Sequence, residues 1–284
     1  MTSWLQVPRK IIKSEEGPRV RNYFLTLDDG EFANYFVALF NARMFSLVND
    51  RELYVYDRAN PVSVSYALLQ ETFQPTKGVR YASEMMSGVT VLAGSSDPRY
   101  AGFLRQVQKD TLRSNAGTLL QWSPKILDSI MNTVNSQDLP TEYDVGVHIR
   151  SRTRFDLIRP PSMATYVSAV EDALHSQKVD KPSVFVLVSD PADFIEFRNL
   201  APKTWKLFQV SPATSTIRGM NVASYNRQNA AVKLNAYVEH LTELYCMQQC
   251  ETIVGTLSND VGRFLYLTAK TPETFKSLDL QTYS

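Results

Sequence analysis

The sequence lacks the short motifs by which several large enzyme classes are recognised. It contains no phosphate-binding loop ending in Gly-Lys-Ser or Gly-Lys-Thr, no Gly-x-Ser-x-Gly nucleophile elbow and no His-Glu-x-x-His zinc motif. It also lacks an Asp-x-Asp pair that could hold a metal–diphosphate complex. These absences argue against the enzyme classes that depend on such motifs, and they fit an anion site that uses no metal.

The sequence also has only two cysteines and no excess of charge of one sign. Cys246 and Cys250 lie four residues apart in a predicted helix, where they are best explained as small buried apolar side chains. His240 is close to them in sequence, but the spacing matches no zinc pattern, so we predict no metal site. Thirty basic and twenty-nine acidic residues give a net charge of +1, which argues against a nucleic-acid-binding protein.

Long apolar segments are absent as well. No run approaches the roughly eighteen apolar residues of a membrane span, and the N-terminal residues have no signal-peptide character. We therefore expect no membrane segment in this chain. If the chain is complete, the expected location is cytoplasmic. If it is trimmed from a longer chain, we expect the soluble catalytic part of a secretory-pathway enzyme.

The N-terminal half opens with a βαβ pattern. A strand is predicted at residues 21–27, a helix at 31–48 and a second strand at 53–56. Such a unit implies parallel pairing with a right-handed crossover. The turn Gly30-Glu-Phe-Ala-Asn34 lies where the helix begins, a natural position for a ligand, although it lacks two of the glycines of a dinucleotide-binding turn.

The middle of the chain is broken by proline and glycine into short pieces. We predict helices near 66–73 and 100–112, a strand at 89–92, and a helix at 123–134 whose start Ser123 and Pro124 mark. Residues 135–141 have the composition of a linker, which places a domain boundary between 140 and 141.

The C-terminal half alternates strands and helices regularly. The predicted strands are 143–149, 183–188, 206–210 and 252–255, and the helices between and after them begin near 162, 190, 229 and 258. The pattern predicts an α/β protein with two domains, 1–140 and 141–284, whose parallel sheets face each other across a cleft.

A basic turn follows the first strand of this half. Arg150, Arg152, Arg154 and Asp156 occur within seven residues directly after the apolar strand. Guanidinium groups at the carboxyl end of a parallel strand can bind phosphate oxygens in pairs. A solvated basic turn explains the cluster equally well when the stretch is taken alone.

A second candidate segment begins after the last predicted strand. Ser258 and Asn259 lie where a strand meets a helix, and the free N–H groups of a helix start can bind phosphate, although an ordinary N-cap needs the same residues. Because carboxyl ends of parallel strands share one edge of a sheet, Ser258 and Arg150 are expected to converge on one ligand.

Three further candidates have ordinary structural alternatives. Glu243 on a long helix would otherwise be a solvated charge or the partner of a nearby cation. His148 at the strand end would otherwise be a hydrogen-bonded core histidine. For Asp190, N-capping of the next helix is the favoured explanation.

Four segments, in this order along the chain, resemble the fucosyltransferase superfamily with the GT-B fold. Gly30-Glu-Phe-Ala-Asn34 is similar to the Gly-x-x-x-Asn turn of protein O-fucosyltransferases, and Val145-Gly-Val-His-Ile-Arg150 is similar to the His-x-Arg motif. Residues 184–190 resemble the family's strand with an acidic turn, and 256–263 resemble its Thr-Phe-Ser-Ser-x-Val-x-Arg segment. The group includes α1,6-fucosyltransferases, protein O-fucosyltransferases and the rhizobial nodulation fucosyltransferase.

The resemblance implies an inverting, metal-independent transfer of a sugar from a nucleotide donor, GDP-fucose in the family, to a hydroxyl of a glycan or protein. The N-terminal domain would lie on the acceptor side, and the C-terminal domain would bind the donor. Arg150 would hold the β-phosphate and neutralise the leaving diphosphate. Ser258 and Asn259 would donate to the phosphates.

The remaining family roles fall on residues around these. His148 and Glu243 match positions that contact the base and ribose, and Asn34 would reach the reacting region. Asp190, which ends the similar strand, is a further donor-binding candidate. No cofactor, nucleic-acid partner or metal is implied.

The sequence departs from the family at Ser151, where α1,6 enzymes have a second arginine, and the following Lys and Glu have no counterparts. The catalytic base is therefore open, with Asp156 as first candidate and Glu31 as second, because an inverting transfer needs a group that accepts the acceptor's proton. The alternatives are another donor such as UDP-xylose, a non-catalytic glycan- or nucleotide-binding module, and an unrelated α/β enzyme with a phosphorylated ligand.

Overall fold

The computed structural model describes residues 22–27, 32–57, 71–75, 78–82, 90–93, 109–150, 159–177, 179–188, 190–210, 227–270 and 272–280. The chain forms two compact units, one of residues 1–122 with Ser284 and one of residues 123–283. This division lies N-terminal to the linker predicted at 135–141 and places the helix that follows Ser123 in the second unit.

The first unit has a four-stranded parallel sheet. Its described elements are β1 (Asn22–Leu27), α1 (Phe32–Val48), β2 (Glu52–Asp57), β3 (Val79–Tyr81), β4 (Thr90–Ala93) and α2 (Lys109–Leu119). The strand order is β3-β2-β1-β4, and β1 pairs in parallel with both β2 and β4. The predicted βαβ unit is therefore confirmed. The strand β3 is not among the predicted elements.

An aromatic cluster of Phe36, Phe73 and Trp122 lies where the first unit ends in the sequence. Phe73 and Trp122 form an isolated antiparallel bridge and stack with ring centroids 5.3 Å apart. Phe36 of α1 meets the Phe73 ring edge-on at 5.0 Å. Because aromatic pairs bury a large area with a defined geometry, this cluster ties α1 to the segment that leads out of the unit.

The second unit has a five-stranded parallel sheet. Its elements are α3 (Pro124–Ser136), β5 (Tyr143–Ile149), α4 (Met163–Gln177), β6 (Ser183–Val188), α5 (Pro191–Leu200), β7 (Lys206–Phe208), α6 (Ala230–Gln248), β8 (Cys250–Gly255), α7 (Asp260–Thr268), a short 3-10 helix (Pro272–Thr274) and β9 (Phe275–Ser277). The strand order is β7-β6-β5-β8-β9, and every neighbouring pair is parallel.

One helix prediction was wrong at its end. Cys250 was placed in a helix with Cys246, whereas α6 ends at Gln248 and Cys250 begins β8. The two cysteines are buried, as predicted, and the Cys250 thiol donates to the carbonyl of Cys246 at 3.3 Å. Burial raises the pKa of the Cys246 thiol to about 12, so this thiol is protonated at neutral pH.

Helices cover both faces of the second sheet. On one face a buried cluster joins β5 and β6 to α4 and α5 through Val147, Val186, Tyr166 and Phe197. On the other face α6 approaches β5 closely at Gly146, where a Cβ would lie 2.9 Å from the sulfur of Met247 in α6. Strands covered on both faces need mainly apolar sequence, and β5 and β6 are buried along nearly their whole length, although Asp144 and His148 interrupt the apolar sequence of β5.

The strand order fixes where a ligand can bind. From β5 the chain proceeds outward to β6 and β7, and then returns to form β8 on the other side of β5. In such open parallel sheets a crevice opens at the carboxyl ends of the two strands where the order reverses. Here those strands are β5 and β8.

None of the helices in the described ranges has the length and hydropathy that a membrane span requires. The predicted α/β class with two units and parallel sheets is confirmed.

Candidate functional site

The carboxyl ends of β5 and β8 bring together the two segments that the sequence marked. Arg150 directly follows β5, and Ser258 lies between β8 and α7. The Arg150 guanidinium donates through Nη1 to Oγ of Ser258. A buried cation, only 6% exposed, therefore contacts a hydroxyl group at the sheet edge where the strand order predicts a crevice.

Tyr166 of α4 fixes the backbone at the start of the basic turn. Its hydroxyl accepts a hydrogen bond of 3.2 Å from the backbone N–H of Arg150. Burial raises the pKa of Tyr166 to about 12, so the hydroxyl keeps its proton at neutral pH. Tyr166 was not among the predicted site residues. It lies on the apolar face of a regular helix, where a tyrosine is most simply explained as part of the core.

His148 is buried and neutral. Burial, together with the nearby His240 and Arg150, lowers its pKa to about 3, although Asp279 opposes the shift. Its Nδ1 atom has no hydrogen-bond partner within the described ranges, unlike the usual core histidine. A buried imidazole nitrogen without a partner is costly, and a bound ligand could supply that partner.

Glu243 of α6 is buried, which excludes the solvated-charge interpretation. Its Oε2 lies 3.4 Å from Nδ1 of His240, one helical turn earlier. His240 in turn is close enough to His148 to lower that pKa. His148, His240 and Glu243 thus form a polar group on the α6 side of β5.

Asn259 is the N-cap of α7, the alternative that the sequence analysis had weighed. Its Oδ1 accepts from Gly262 N at 2.8 Å, and its Nδ2 donates to Oγ1 of Thr256 at 2.6 Å. Both ends of the side-chain amide therefore hold the turn between β8 and α7. The Oγ atom of Ser258, by contrast, accepts a hydrogen bond from Arg150.

Asp279 completes the site and was not a sequence candidate. Its carboxylate accepts hydrogen bonds from the backbone N–H groups of Leu257 at 2.8 Å and Ser258 at 3.3 Å. It follows β9, a strand of three residues that the sequence pattern did not predict. No local signal pointed to it.

The other candidates lie elsewhere or outside the described residues. Asp190 is the N-cap of α5, with its Oδ1 accepting from Ala192 N at 2.9 Å, as favoured from the sequence. Asn34 is partly buried in the first turn of α1, in the first unit. Glu31 and Asp156, the two base candidates, lie outside the described residues, as do Arg152 and Arg154.

Metal ligands are not grouped in the described part of the chain. No set of three or more His, Cys, Asp or Glu side chains is placed there to hold a metal ion. The pair of Cys246 and Cys250 with His240 does not form such a set.

The fold defines a class: an α/β protein of two units with parallel sheets, the second of which has the strand order of a Rossmann-type domain. No family model matches the chain, and no curated protein matches its sequence. The particular fold is given by solved structures.

Three of these are crystal structures of the fucosyltransferase NodZ. The structure from Bradyrhizobium is 12% identical, with a TM-score of 0.56, and covers 92% of this chain and 97% of its own. NodZ α-1,6-fucosyltransferase soaked with GDP-fucose is 12% identical, with a TM-score of 0.54, covering 91% of this chain and 96% of its own. The form co-crystallised with GDP is also 12% identical, with a TM-score of 0.51, covering 88% and 93%. The chain therefore has the GT-B-like fold of these fucosyltransferases, as the sequence resemblance implied.

Proposed function

We propose that this protein is an inverting glycosyltransferase that transfers fucose from GDP-fucose to a hydroxyl group of a glycan or protein, without a metal ion. The observation that carries the proposal is the contact of buried Arg150 with Ser258 at the edge of β5 and β8. It occurs in a fold shared with an enzyme whose crystal was soaked with GDP-fucose.

Arg150 is the residue that binds the donor's diphosphate. A guanidinium group remains charged at any working pH and can donate to two phosphate oxygens at once. As the glycosidic bond to the phosphate breaks, negative charge accumulates on the diphosphate, and a fixed cation stabilises that charge. Ser258, beside Arg150, adds a hydroxyl group to the same phosphate.

His148 and Glu243 bind the nucleoside. The unpartnered Nδ1 of His148 and the buried carboxylate of Glu243 are polar groups that a ligand hydroxyl or amine can satisfy. The carboxyl oxygens of Glu243 can accept hydrogen bonds, which suits the N–H groups of a guanine or the hydroxyls of a ribose. Asn259 and Asp190 contribute through the helix starts that they cap.

The acceptor side requires a base. Asp156 is the first candidate and Glu31 the second, because a carboxylate can take the proton of the attacking hydroxyl. Asn34, at the start of α1, is proposed to contact the reacting groups. The two base assignments rest on the sequence alone.

Calorimetric titration with GDP and with UDP, each with Mg²⁺ and with EDTA, tests the donor site. We expect GDP to bind in both buffers and UDP to bind at least about tenfold more weakly, since Glu243 would lose its guanine partners. The proposal is wrong if neither nucleotide binds in either buffer.

Incubation with GDP-fucose, GDP-mannose, UDP-xylose and UDP-glucose then tests the reaction. We expect GDP-fucose to give the largest rise in melting temperature and the fastest release of GDP. NMR of the product would show an anomeric configuration opposite to that of the donor. Binding of a donor without hydrolysis or transfer would instead indicate a non-catalytic binding module.

A further inference from the structure

The carboxylate of Asp279 accepts four hydrogen bonds from nearby backbone and side-chain groups. Besides the backbone N–H groups of Leu257 and Ser258, at 2.8 and 3.3 Å, it accepts from Oγ of Ser277 at 3.1 Å and from the N–H of Leu280 at 2.6 Å. It thereby joins the residues after β9 to the turn that follows β8. A carboxylate bonded in this way is fixed in position.

The hydroxyl of Ser258 lies between this carboxylate and Arg150. Burial raises the pKa of Asp279, but hydrogen bonds from the Ser258 hydroxyl, from the backbone N–H groups of Leu280 and Leu257 and from the Ser277 hydroxyl outweigh burial, and the pKa lies below the usual value. Ser258 Oγ also accepts from Arg150 Nη1. A hydroxyl has one hydrogen to donate, so donation to Asp279 leaves its oxygen lone pairs to face Arg150.

The same turn is held from its other side by α7. Nε of Arg263 donates to the carbonyl oxygen of Leu257 at 3.1 Å. The Leu257 residue is therefore bonded through its N–H to Asp279 and through its carbonyl to Arg263. Ser258, the next residue, has little freedom of its own.

From this geometry we infer that Asp279 is a positioning residue for the diphosphate site: it orients the Ser258 hydroxyl and, through it, the Arg150 guanidinium. The inference rests on the proposed function, because it assigns to Asp279 a role in binding the donor's β-phosphate. Asp279 does not touch the phosphate itself. Because its carboxylate already holds the Ser258 and Arg150 side chains in place, these side chains lose less conformational entropy when the ligand binds. The smaller entropy cost increases the affinity for the diphosphate.

The affinity difference between GDP and GMP measures this role. Only GDP has the β-phosphate, so the ratio of the two dissociation constants reports what Arg150 and Ser258 contribute. We expect Asp279→Asn to weaken GDP binding about tenfold and to leave GMP binding within about twofold, since the charge-assisted hydrogen bond that orients Ser258 is weakened and Ser258 and Arg150 bind the β-phosphate, which GMP lacks. If the protein binds UDP instead of GDP, the affinities for UDP and UMP are compared in the same way.

Glu273→Gln is the matched control. Glu273 is an exposed carboxylate just before β9, so the substitution removes the same charge without contact to the 257–258 turn. We expect its GDP and GMP affinities to equal those of the wild type. Equal losses in both acidic variants would show a general charge effect and would overturn the inference.

A second variant covers the case in which Asp279→Asn does not fold. Ser277→Ala removes one hydrogen bond to Asp279 but leaves its charge, and we expect GDP binding to fall two- to threefold with GMP unchanged, since one neutral hydrogen bond is lost. In a Ser258→Ala background, Asp279→Asn should have little further effect on GDP, because both changes act on one contact.

The outcomes separate the inference from the proposed function. If the wild type binds neither GDP nor UDP, the donor site itself is wrong and the role of Asp279 falls with it. If the wild type binds GDP but the ratio of GDP to GMP affinity is the same in Asp279→Asn and Ser277→Ala as in the wild type, only the inference is overturned. Parallel losses for GDP and GMP would indicate a merely structural residue.

Discussion

Within the described ranges, each unit buries one arginine, and the two side chains differ in their hydrogen-bond partners. Arg43 lies in α1 of the first unit, is 7% exposed, and donates to Oγ of Ser46 at 3.3 Å and to the carbonyl of Gly78 at 3.2 Å. Arg150 lies at the end of β5 in the second unit, is 6% exposed, and donates to the hydroxyl of Ser258. Burial is therefore the same for both side chains.

The difference lies in the partners and their place in the sheet. Gly78 precedes β3 with φ of +81°, and a Cβ there would lie 2.8 Å from the Arg43 nitrogens, so Arg43 and Gly78 hold one another in a single arrangement. Arg43 fixes a backbone turn. Arg150 instead lies at the carboxyl edge where the strand order reverses, beside a side chain that a ligand can share. Location in the fold, and not burial, therefore distinguishes the proposed binding cation, Arg150, from the structural one, Arg43.

Replacing Arg150 gives the sharpest test of this distinction. We expect Arg150→Ala to weaken GDP binding about 10²-fold and to lower turnover at least about 10³-fold, because the leaving diphosphate loses its only proposed cation. The free energy of unfolding should change by no more than about 1 kcal/mol. Calorimetry with GDP and urea unfolding followed by circular dichroism measure the two effects.

Arg43→Met is the counterpart in the first unit. The methionine keeps an apolar side chain of similar length but loses the two hydrogen bonds to the Gly78 carbonyl and to Oγ of Ser46, so we expect unfolding to become easier by about 2 kcal/mol. The Gly78 carbonyl keeps the backbone N–H of Leu53 as its other donor. GDP affinity should remain that of the wild type. The comparison breaks if Arg43→Met loses GDP binding, or if Arg150→Ala is destabilised as strongly as Arg43→Met.

Two helical glycines extend the comparison to packing. A Cβ on Gly262, in the first turn of α7, would overlap the carbonyl oxygen of Thr256 and lie 2.7 Å from its carbon. A Cβ on Gly117 of α2, in the first unit, meets nothing within 4 Å. We expect Gly262→Ala to destabilise by about 3 kcal/mol or more and Gly117→Ala to stabilise by about 0.5–1 kcal/mol. Urea unfolding of both variants measures the difference, and equal effects would contradict it.

The second unit was the more predictable from sequence, for a physical reason. Its central strands are buried on both faces and are mainly apolar, so β5 and β6 were predicted with the bounds that they have. The strands β3 and β9 have three residues each, too few for a period to show, and both were missed. The first unit also contains more proline and glycine breaks between its strands.

The site could be predicted only where a motif marked it. Arg150 and Ser258 follow strands directly, so the parallel arrangement itself implied that they meet. Three further residues lie at the site but come from other elements: Asp279 follows β9, Tyr166 is in α4 and His240 is in α6. No local sequence pattern indicates that these residues lie near Arg150. Asn259 was predicted to bind phosphate, with N-capping of a helix as the alternative explanation. In the structure its side-chain amide caps α7.

Histidine gives the last contrast, because all three histidines lie in the second unit: His148, His175 and His240. His148 has a pKa of about 3 in the folded protein, against about 6.5 when unfolded. Protonation therefore favours the unfolded state below pH 6.5. The stability that neutral His148 contributes is complete above that pH and is lost as the pH falls toward 3.

The size of this effect follows from the difference in bound protons. Each pH unit below 6.5 should cost about 1.4 kcal/mol, so between pH 7 and pH 5 we expect a loss of about 2 kcal/mol that His148→Gln does not show. His175→Gln is the matched control, because His175 is exposed on α4 and the substitution is the same. Urea unfolding at both pH values, for the wild type and the two variants, measures the slopes. If His148→Gln keeps the wild-type slope, His148 is not the neutral, unpartnered group that the second unit holds beside Arg150, and its assignment to the nucleoside loses its physical basis.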